Sequence, residues 1–233
     1  MSALNILAVG AHPDDVEFGC APLLIQEIDA GARVRILVLS RGEAGSVGTP
    51  EVREQESRNA AALIGAEIDF LDFRGDCHLE MTPGNALRVA SDIRRFQPQI
   101  VLAPNPSANQ HPDHRAAGEL VRDACRLARY GGLVDLRAHP AHKIAQLYFY
   151  DITQHGVRAP DLVIDISGVA PKWEAAMRCH ATQTQSKNYI ELQMTAARLL
   201  GLTIGVEYAA GVYANDPMRV ARLSDLTLSS RNF

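Results

Sequence analysis

Several features are scarce in this 233-residue sequence, and each absence narrows what the protein can do. The four cysteines lie far apart and form no Cys-x-x-Cys pair, so we expect free, buried thiols and neither a disulfide framework nor a cysteine-based zinc site. No apolar run reaches the roughly 18 residues of a membrane-spanning helix. Only three lysines occur, and the net charge of −4 is spread over scattered acids and bases. We therefore expect neither a membrane nor a nucleic acid as a partner.

What is present is the composition of an ordinary globular protein. Hydrophobic residues make up 47% and charged residues 21% of a chain that is long enough to bury a substantial core. Segment 1–10 runs directly into a strand-like stretch and lacks the basic start and small-residue cleavage site of a signal peptide. We expect a cytoplasmic protein with one domain over residues 1–233, in which about the last 50 residues could form an appendage.

Short apolar runs alternate with longer amphipathic segments along the chain. The runs predict strands at 4–10, 33–40, 67–71, 100–103, 147–150 and 161–166, and the other segments predict helices at 22–30, 50–64, 86–96, 112–129 and 169–184. This alternation predicts an α/β fold, with a Rossmann-like, mostly parallel sheet and helices on both faces. Such sheets bind ligands beyond the carboxyl ends of their strands, near the point where the strand order reverses.

Segment 10–17 (GAHPDDVE) directly follows the first predicted strand. It places an imidazole and two adjacent carboxylates within four residues, and a proline stiffens the turn. His12 and Asp15 are three residues apart, so a turn that enters a helix can direct both side chains to one point. The side chain of Asp14 then points in a different direction, although it stays close to that point. Because such pairs in loops are more often solvated turn residues, this segment alone does not establish a site.

A second segment of similar composition, 111–114 (HPDH), follows the fourth predicted strand. The imidazoles of His111 and His114 are three residues apart, and the carboxylate of Asp113 lies between them in sequence. Together, His12, Asp15 and His114 would supply two nitrogens and one carboxylate oxygen. This set suits Zn²⁺ with a fourth position left for water, and it suits Fe²⁺ as well. Two such segments after strands of one parallel sheet predict a metal site.

Two other classes of α/β protein fit these segments poorly. A dinucleotide-binding protein would carry Gly-x-Gly-x-x-Gly after its first strand, where this chain has the acidic turn 10–15. A phosphoacceptor receiver module would be about half as long and would need a basic residue late in the sheet, whereas lysines are scarce here. Neither class explains segment 111–114.

Segments 12–15 (HPDD) and 111–114 (HPDH) together resemble the LmbE/PIG-L family of zinc-dependent N-deacetylases. The resemblance covers nearly the whole chain, since it extends to Gly42–Glu43, to the Glu- and Arg-containing segment 51–56 and to Gly75–Asp76.

Within that family, the sequence is most similar to the branch that deacetylates N-acetylglucosaminyl malate in bacillithiol biosynthesis. The form HPDDVEFG, the short length and segment 179–183 carry this likeness. Thr182 and Ser40 depart from the branch, which usually has serine and threonine at these two places. Neither residue belongs to the expected metal ligands.

The resemblance implies a metal-assisted hydrolysis of an acetamide. Zn²⁺, or alternatively Fe²⁺, would be held by His12, Asp15 and His114 and would lower the pKa of its water. Asp14 would act as general base. A protonated His111 would stabilise the negative oxygen of the tetrahedral intermediate. Either Asp14 or His111 would protonate the leaving amine.

The resemblance also assigns supporting and substrate-binding residues. Asp113 would orient one of the imidazoles, although the sequence does not say which one. Arg53 would contact the substrate, where an acidic aglycone needs a cation, and Glu43 and Asp76 would bind sugar hydroxyls. The alternative for Arg53 is a salt bridge with Glu56 on an exposed helix face.

The expected substrate is a small N-acetylated amino sugar, with N-acetylglucosaminyl malate first among the candidates. Glucosaminyl inositol derivatives, chitooligosaccharides and N-acetylglucosamine carry the same acetamide and remain alternatives, as does a noncatalytic metal-binding module. The family also implies a homo-oligomer, for which the apolar stretch 199–202 is a candidate interface.

Overall fold

A seven-stranded sheet forms the centre of the computed structural model, which describes residues 4–107, 111–153, 158–185, 187–225 and 229. The strands are β1 (Asn5–Gly10), β2 (Arg33–Val38), β3 (Glu67–Phe70), β4 (Ile100–Pro104), β5 (Gln146–Tyr150), β6 (Leu162–Asp165) and β7 (Ala209–Ala214). Their order in space is β3-β2-β1-β4-β5-β7-β6. Strands β1 to β5 are parallel, and β7 is antiparallel to its neighbours β5 and β6. The predicted mostly parallel sheet is confirmed.

Helices cover both faces of this sheet. They are α1 (Asp15–Gly19), α2 (Ala21–Asp29), α3 (Pro50–Ile64), α4 (Pro83–Phe96), α5 (Pro112–Ala128), α6 (Ala170–Arg178) and α7 (Tyr189–Ile204). Alternate residues of β1 face opposite layers: Leu7 and Val9 belong to the core under α4 and α5, and Ile6 and Ala8 to the core under α2, α3 and α6. Among the helices described, none is both long and apolar enough to span a membrane.

Local capping sets where α3 and α4 begin. The hydroxyl of Thr49 accepts from the amide of Val52 at 3.3 Å, and that of Thr82 accepts from the amide of Asn85 at 3.2 Å. A proline follows each threonine, at the helical position where a missing N–H costs nothing. Gly65, with φ of 90°, ends α3 in the left-handed conformation that glycine adopts easily. The helix predicted at 50–64 is confirmed, and these local signals set both of its ends.

The last strand corrects the expectation of a C-terminal appendage. Strand β7 was not predicted, and it lies between β5 and β6 in the interior of the sheet. Its sequence, AAGVYA, consists mostly of small residues that carry a weak strand signal. Helix α7, which precedes it and was not predicted either, packs its buried residues into the core on the α2 side. This part of the chain is therefore integral to the fold.

The helix predicted at 169–184 is wrong in its second half. Helix α6 ends at Arg178, and the backbone continues as turns through 179–184. The amide and hydroxyl of Thr182 both donate to the carboxylate of Glu56 on α3, at 2.9 and 2.6 Å. A buried tertiary contact, which local propensity cannot reveal, fixes the path of these residues.

The cysteines are free, as predicted, but not all are buried. Cys20 and Cys125 are buried and Cys179 is partly buried, whereas Cys77 is exposed. Cys77 lies in a turn after β3 with φ of 67°. The expectation of four buried thiols is therefore wrong for this residue.

Candidate active site

The two histidine-containing segments of the sequence meet where the strand order reverses. After β1 the chain forms β2 and β3 on one side of that strand and then places β4 on the other side. Segment 10–17 follows β1, and segment 111–114 leads from β4 into α5. A cavity of about 270 Å³ opens at this edge of the sheet. It is lined by seven of the predicted site residues: His12, Asp14, Asp15, Arg53, Asp76, His111 and His114.

Three potential ligand atoms converge in this cavity from buried side chains. The Nε2 atom of His114 lies 3.3 Å from Nδ1 of His12 and 3.1 Å from Oδ1 of Asp15. The Oδ2 atom of Asp15 lies 3.6 Å from Nδ1 of His12. That Oδ2 atom also accepts the amides of Ala11 and His12 at 2.8 and 2.9 Å, which fixes the carboxylate. The structure thus brings the three expected ligands together.

The charges in this cluster favour a cation. Burial opposes ionisation of Asp15, but the imidazoles of His114 and His12 hold the pKa of its carboxyl well below the usual value. Burial likewise opposes protonation of His12, but Asp15 and a hydrogen bond with Asp113 hold the pKa of that imidazole well above the usual value. Positive charge between these side chains is therefore stabilised. Two nitrogens and a carboxylate oxygen are donors that fit Zn²⁺ or Fe²⁺.

The outer nitrogen of His12 is held by two carboxylates. Its Nε2 atom lies 3.1 Å from Asp113 Oδ2 and 3.0 Å from Asp76 Oδ1. The same oxygen of Asp113 accepts the amide of Cys77 at 2.7 Å. This arrangement directs the other ring nitrogen, Nδ1, toward His114. Asp113 therefore contacts the imidazole of His12. The sequence alone does not say which of the imidazoles Asp113 would orient.

Asp14 stands apart from this cluster. Its φ of 114° is unusual for a residue other than glycine and indicates strain of about 1–3 kcal/mol. Its carboxylate lies 3.5 Å from the guanidinium of Arg53. Burial and the charge of Asp15 raise the pKa of Asp14 to about 6, although Arg53 and His180 act in the opposite direction. A carboxyl with this pKa is mostly ionised at neutral pH and is a better proton acceptor than an ordinary aspartate.

The structure favours a neutral His111, in contrast to the expected protonated form. The Nδ1 atom of His111 accepts the amide of Asp113 at 3.2 Å and so caps α5, which places the ring proton on Nε2. Nε2 lies 3.5 Å from the thiol of Cys77, which lines the cavity. Burial and the charge of His12 lower the pKa of His111. Its Nε2–H can still donate a hydrogen bond within the cavity.

Arg53 is buried, with 4% of its surface exposed. Its guanidinium donates to the carbonyls of Gly42 at 2.9 Å and Pro13 at 3.0 Å, and so joins the loops that follow β2 and β1. The alternative of a salt bridge on an exposed helix face is therefore wrong. Arg53 does line the cavity, but its charge is shared with the nearby carboxylates of Asp14 and Asp76.

Glu43 and Asp76 differ in their access to the cavity. Asp76 lines the cavity. Burial opposes ionisation of its carboxyl, but the hydrogen bond and charge of His12 hold the pKa of this carboxyl below the usual value. Glu43 is exposed and lies outside the cavity lining. Its carboxylate accepts the amides of Arg41 at 3.2 Å and Asp76 at 2.9 Å. Glu43 thus braces the turn that carries Asp76.

Several cavity-lining residues have no role in the sequence prediction. They are Phe18, Ala44, Gly45, Ser46, Cys77, Ile152, Thr153, Gln183 and Tyr189. Gln183 belongs to segment 179–183, to which the family resemblance alone draws attention. Tyr189 begins α7, a helix that was not predicted, so no pattern points to it.

Comparison with known proteins agrees with this geometry. The family model described as PIG-L, GlcNAc-PI de-N-acetylase, matches residues 7–125. A diacetylchitobiose deacetylase from Thermococcus kodakarensis is 31% identical over 89% of this chain and 82% of its own length. A 4-oxalmesaconate hydratase from Pseudomonas putida is 27% identical over 91% and 90%. A probable N-acetyl-alpha-D-glucosaminyl L-malate deacetylase from Bacillus anthracis is 26% identical over 78% and 83%.

A solved structure has a similar fold and sequence. The conserved protein TT1542 from Thermus thermophilus superimposes with a TM-score of 0.81 at 32% identity, over 94% of this chain and 97% of its own. The matched family segment, residues 7–125, contains segments 10–17 and 111–114, all of β4 and most of β1. The chain belongs to the PIG-L/LmbE family.

Proposed function

We propose that this protein is a metal-dependent hydrolase that removes the acetyl group from an N-acetylated amino-sugar derivative. One observation carries the proposal: His12, Asp15 and His114 present three ligand atoms within 4.8 Å of one another, in a cavity that also contains Asp14. The donor set fits Zn²⁺ and also Fe²⁺. Membership of a family described as a de-N-acetylase supports the reaction.

A metal ion held by these three side chains would polarise the acetyl carbonyl and lower the pKa of a water molecule. Asp14 then accepts the proton of the attacking water. Its pKa of about 6 suits this role, since the carboxylate is ionised at neutral pH and still basic enough to take a proton. Arg53, at 3.5 Å, holds the carboxylate of Asp14 in place.

His111 contributes through the Nε2–H that faces the cavity. A neutral imidazole donates a hydrogen bond to the oxygen that becomes negative during attack, and such stabilisation is a large contribution in acyl-transfer catalysis. The leaving amine takes its proton from Asp14, which returns the one that it accepted from the attacking water, since a neutral His111 donates a hydrogen bond but cannot give up its proton. Asp113 and Asp76 contact Nε2 of His12 and keep its Nδ1 directed at His114 and Asp15, with which it would hold the metal.

For the substrate we propose N-acetylglucosaminyl malate, which would place the enzyme in bacillithiol biosynthesis. The relative from Bacillus anthracis and the form of segment 12–19 support this choice. The similarity to a diacetylchitobiose deacetylase and to a deacetylase of an inositol glycoside from Kineococcus radiotolerans, 26% identical over 77% of this chain, supports the alternatives. A cytoplasmic location and a homo-oligomer stay predictions.

The proposal is tested by release of free amine from four acetylated sugars: the malate glycoside, the inositol glycoside, diacetylchitobiose and N-acetylglucosamine. Each is assayed with added Zn²⁺ or Fe²⁺ and with a chelator. Chelator-sensitive amine release supports the reaction, and the preferred sugar identifies the substrate.

A hydration assay with 4-oxalmesaconate runs in parallel, because a hydratase is among the relatives. Hydration without amine release from any sugar would contradict the proposed reaction. Metal binding with neither activity would favour a noncatalytic module.

A further inference from the structure

The cavity offers little positive charge to an acidic aglycone. Three carboxylates line it, from Asp14, Asp15 and Asp76, and Arg53 is the one arginine or lysine among the described lining residues. The Arg53 guanidinium already donates to two backbone carbonyls and lies near two of those carboxylates. Among the residues outside the described part of the chain, Arg231 is the one lysine or arginine. A dicarboxylate such as malate therefore needs another cation.

Lys187 lies beside a residue that lines the same cavity. Its ammonium nitrogen lies 5.4 Å from the centre of the Tyr189 ring, and Tyr189 lines the cavity. The Tyr189 ring is fixed in turn by an edge contact with Phe18, at 6.2 Å between ring centres. Lys187 is exposed, and it forms no ion pair with any carboxylate in the described part of the chain. A cation held over an aromatic face is positioned without being neutralised.

The size of the cavity leaves little room beyond one sugar. At about 270 Å³ it lies just below the range of about 300–1,000 Å³ for small-molecule sites. We take one sugar ring with its acetamide to occupy this volume, so that the substituent on the sugar extends beyond the cavity. Lys187, next to the cavity-lining Tyr189, is then a cation available to that substituent.

We propose that Lys187, stacked on Tyr189, is the residue that binds the anionic group of the aglycone and so determines preference for an acidic glycoside. This inference rests on the proposed deacetylase function. Lys187 does not line the cavity that contains the potential ligand atoms, so it acts on substrate binding and not on the chemical step. The attraction is largely exposed to solvent, so it weakens as ionic strength rises.

The test compares two substrates that differ in charge at the aglycone: N-acetylglucosaminyl malate and its neutral dimethyl ester. The variants are Lys187→Met, which keeps most of the aliphatic stem, and Lys187→Glu, which reverses the charge. Lys172→Met is the matched control, because it changes the net charge equally at a lysine that pairs with Asp29 outside the cavity.

For Lys187→Met we expect kcat/KM on the malate glycoside to fall about three- to fivefold, through KM, with the ester nearly unchanged. Lys187→Glu should lower kcat/KM on the malate glycoside further. Added salt should reduce the preference of the wild type for the malate glycoside over its ester. Lys172→Met should behave as wild type. Equal effects of the Lys187 variants on acid and ester, or none on either, would overturn the proposal, since a purely structural lysine cannot distinguish the two substrates.

A binding experiment tests the role of Lys187 independently of the proposed reaction. Calorimetry with both glycosides is run on the metal-loaded protein and on its Lys187→Met variant. If no substrate is turned over, selective weakening of malate-glycoside binding in the variant still supports the role of Lys187. Binding of the acid that is unchanged, or undetectable in the unaltered protein, contradicts it.

Discussion

Replacement of Asp14 by asparagine removes a base while leaving the shape of the site intact. The amide has the size of the carboxyl, and asparagine tolerates positive φ better than most residues, so the turn with φ of 114° should persist. The variant also removes a charge that burial and the neighbouring Asp15 disfavour, as the raised pKa of Asp14 shows. The folded state should therefore be retained.

The expected loss of activity follows from the role of a general base. Such a group contributes a factor of about 10²–10⁴, or about 3–5 kcal/mol of barrier. We expect kcat to fall by that factor with KM changed little. Metal content should stay the same, because Asp14 is not among the three converging ligand atoms.

The pH dependence gives the same prediction a second readout. A base must be ionised to act, so the wild-type rate should fall as pH drops through the Asp14 pKa of about 6. The acid limb should be absent in Asp14→Asn. Amine release from pH 5 to 8 and metal analysis are the assays.

Asp15→Asn is the matched control for this variant. It makes the same chemical change one residue away and should lose the metal together with activity, since Asp15 contacts both imidazoles. The reasoning is refuted if Asp14→Asn keeps more than about one tenth of wild-type kcat. It is equally refuted if that variant loses its metal as Asp15→Asn does.

Two further predictions concern support for the site and the core. Asp113→Asn should weaken metal binding about 10–100-fold, because one of the two carboxylates on His12 Nε2 loses its charge, and competition with a chelator measures this. Unchanged affinity would show that Asp113 does not orient His12. Gly19→Ala should destabilise the fold by about 1–3 kcal/mol in urea unfolding, since its Cβ would lie 2.3 Å from the buried ring of Tyr150. Gly168→Ala, which meets nothing within 4 Å, is its control, and equal unfolding curves would contradict the packing argument.

The part of this site that the sequence predicts is the part built from local patterns. Segments 10–17 and 111–114 each carry their functional groups within a few residues and each follow a buried strand, so their meeting follows from a parallel sheet. The convergence of His12, Asp15 and His114 is therefore expected from the amino-acid sequence alone.

What the sequence does not predict depends on long-range contacts. The pairing of Asp113 with His12 joins residues 101 apart in the chain, and the turn at Thr182 is set by Glu56, 126 residues away. Burial of Arg53 and exposure of Cys77 likewise depend on how loops from different strands pack. No pattern within a short window contains this information.

Metal content of the wild type and of two histidine variants tests the central claim most directly. Both His111 and His114 belong to segment 111–114, but only His114 presents its nitrogen to His12 and Asp15 together. After dialysis with Zn²⁺ and removal of excess metal, we expect about one ion per chain in the wild type and in His111→Ala, and little in His114→Ala. Folding of each variant is checked by circular dichroism. Equal metal content in two folded histidine variants, or none in the wild type, would contradict the account.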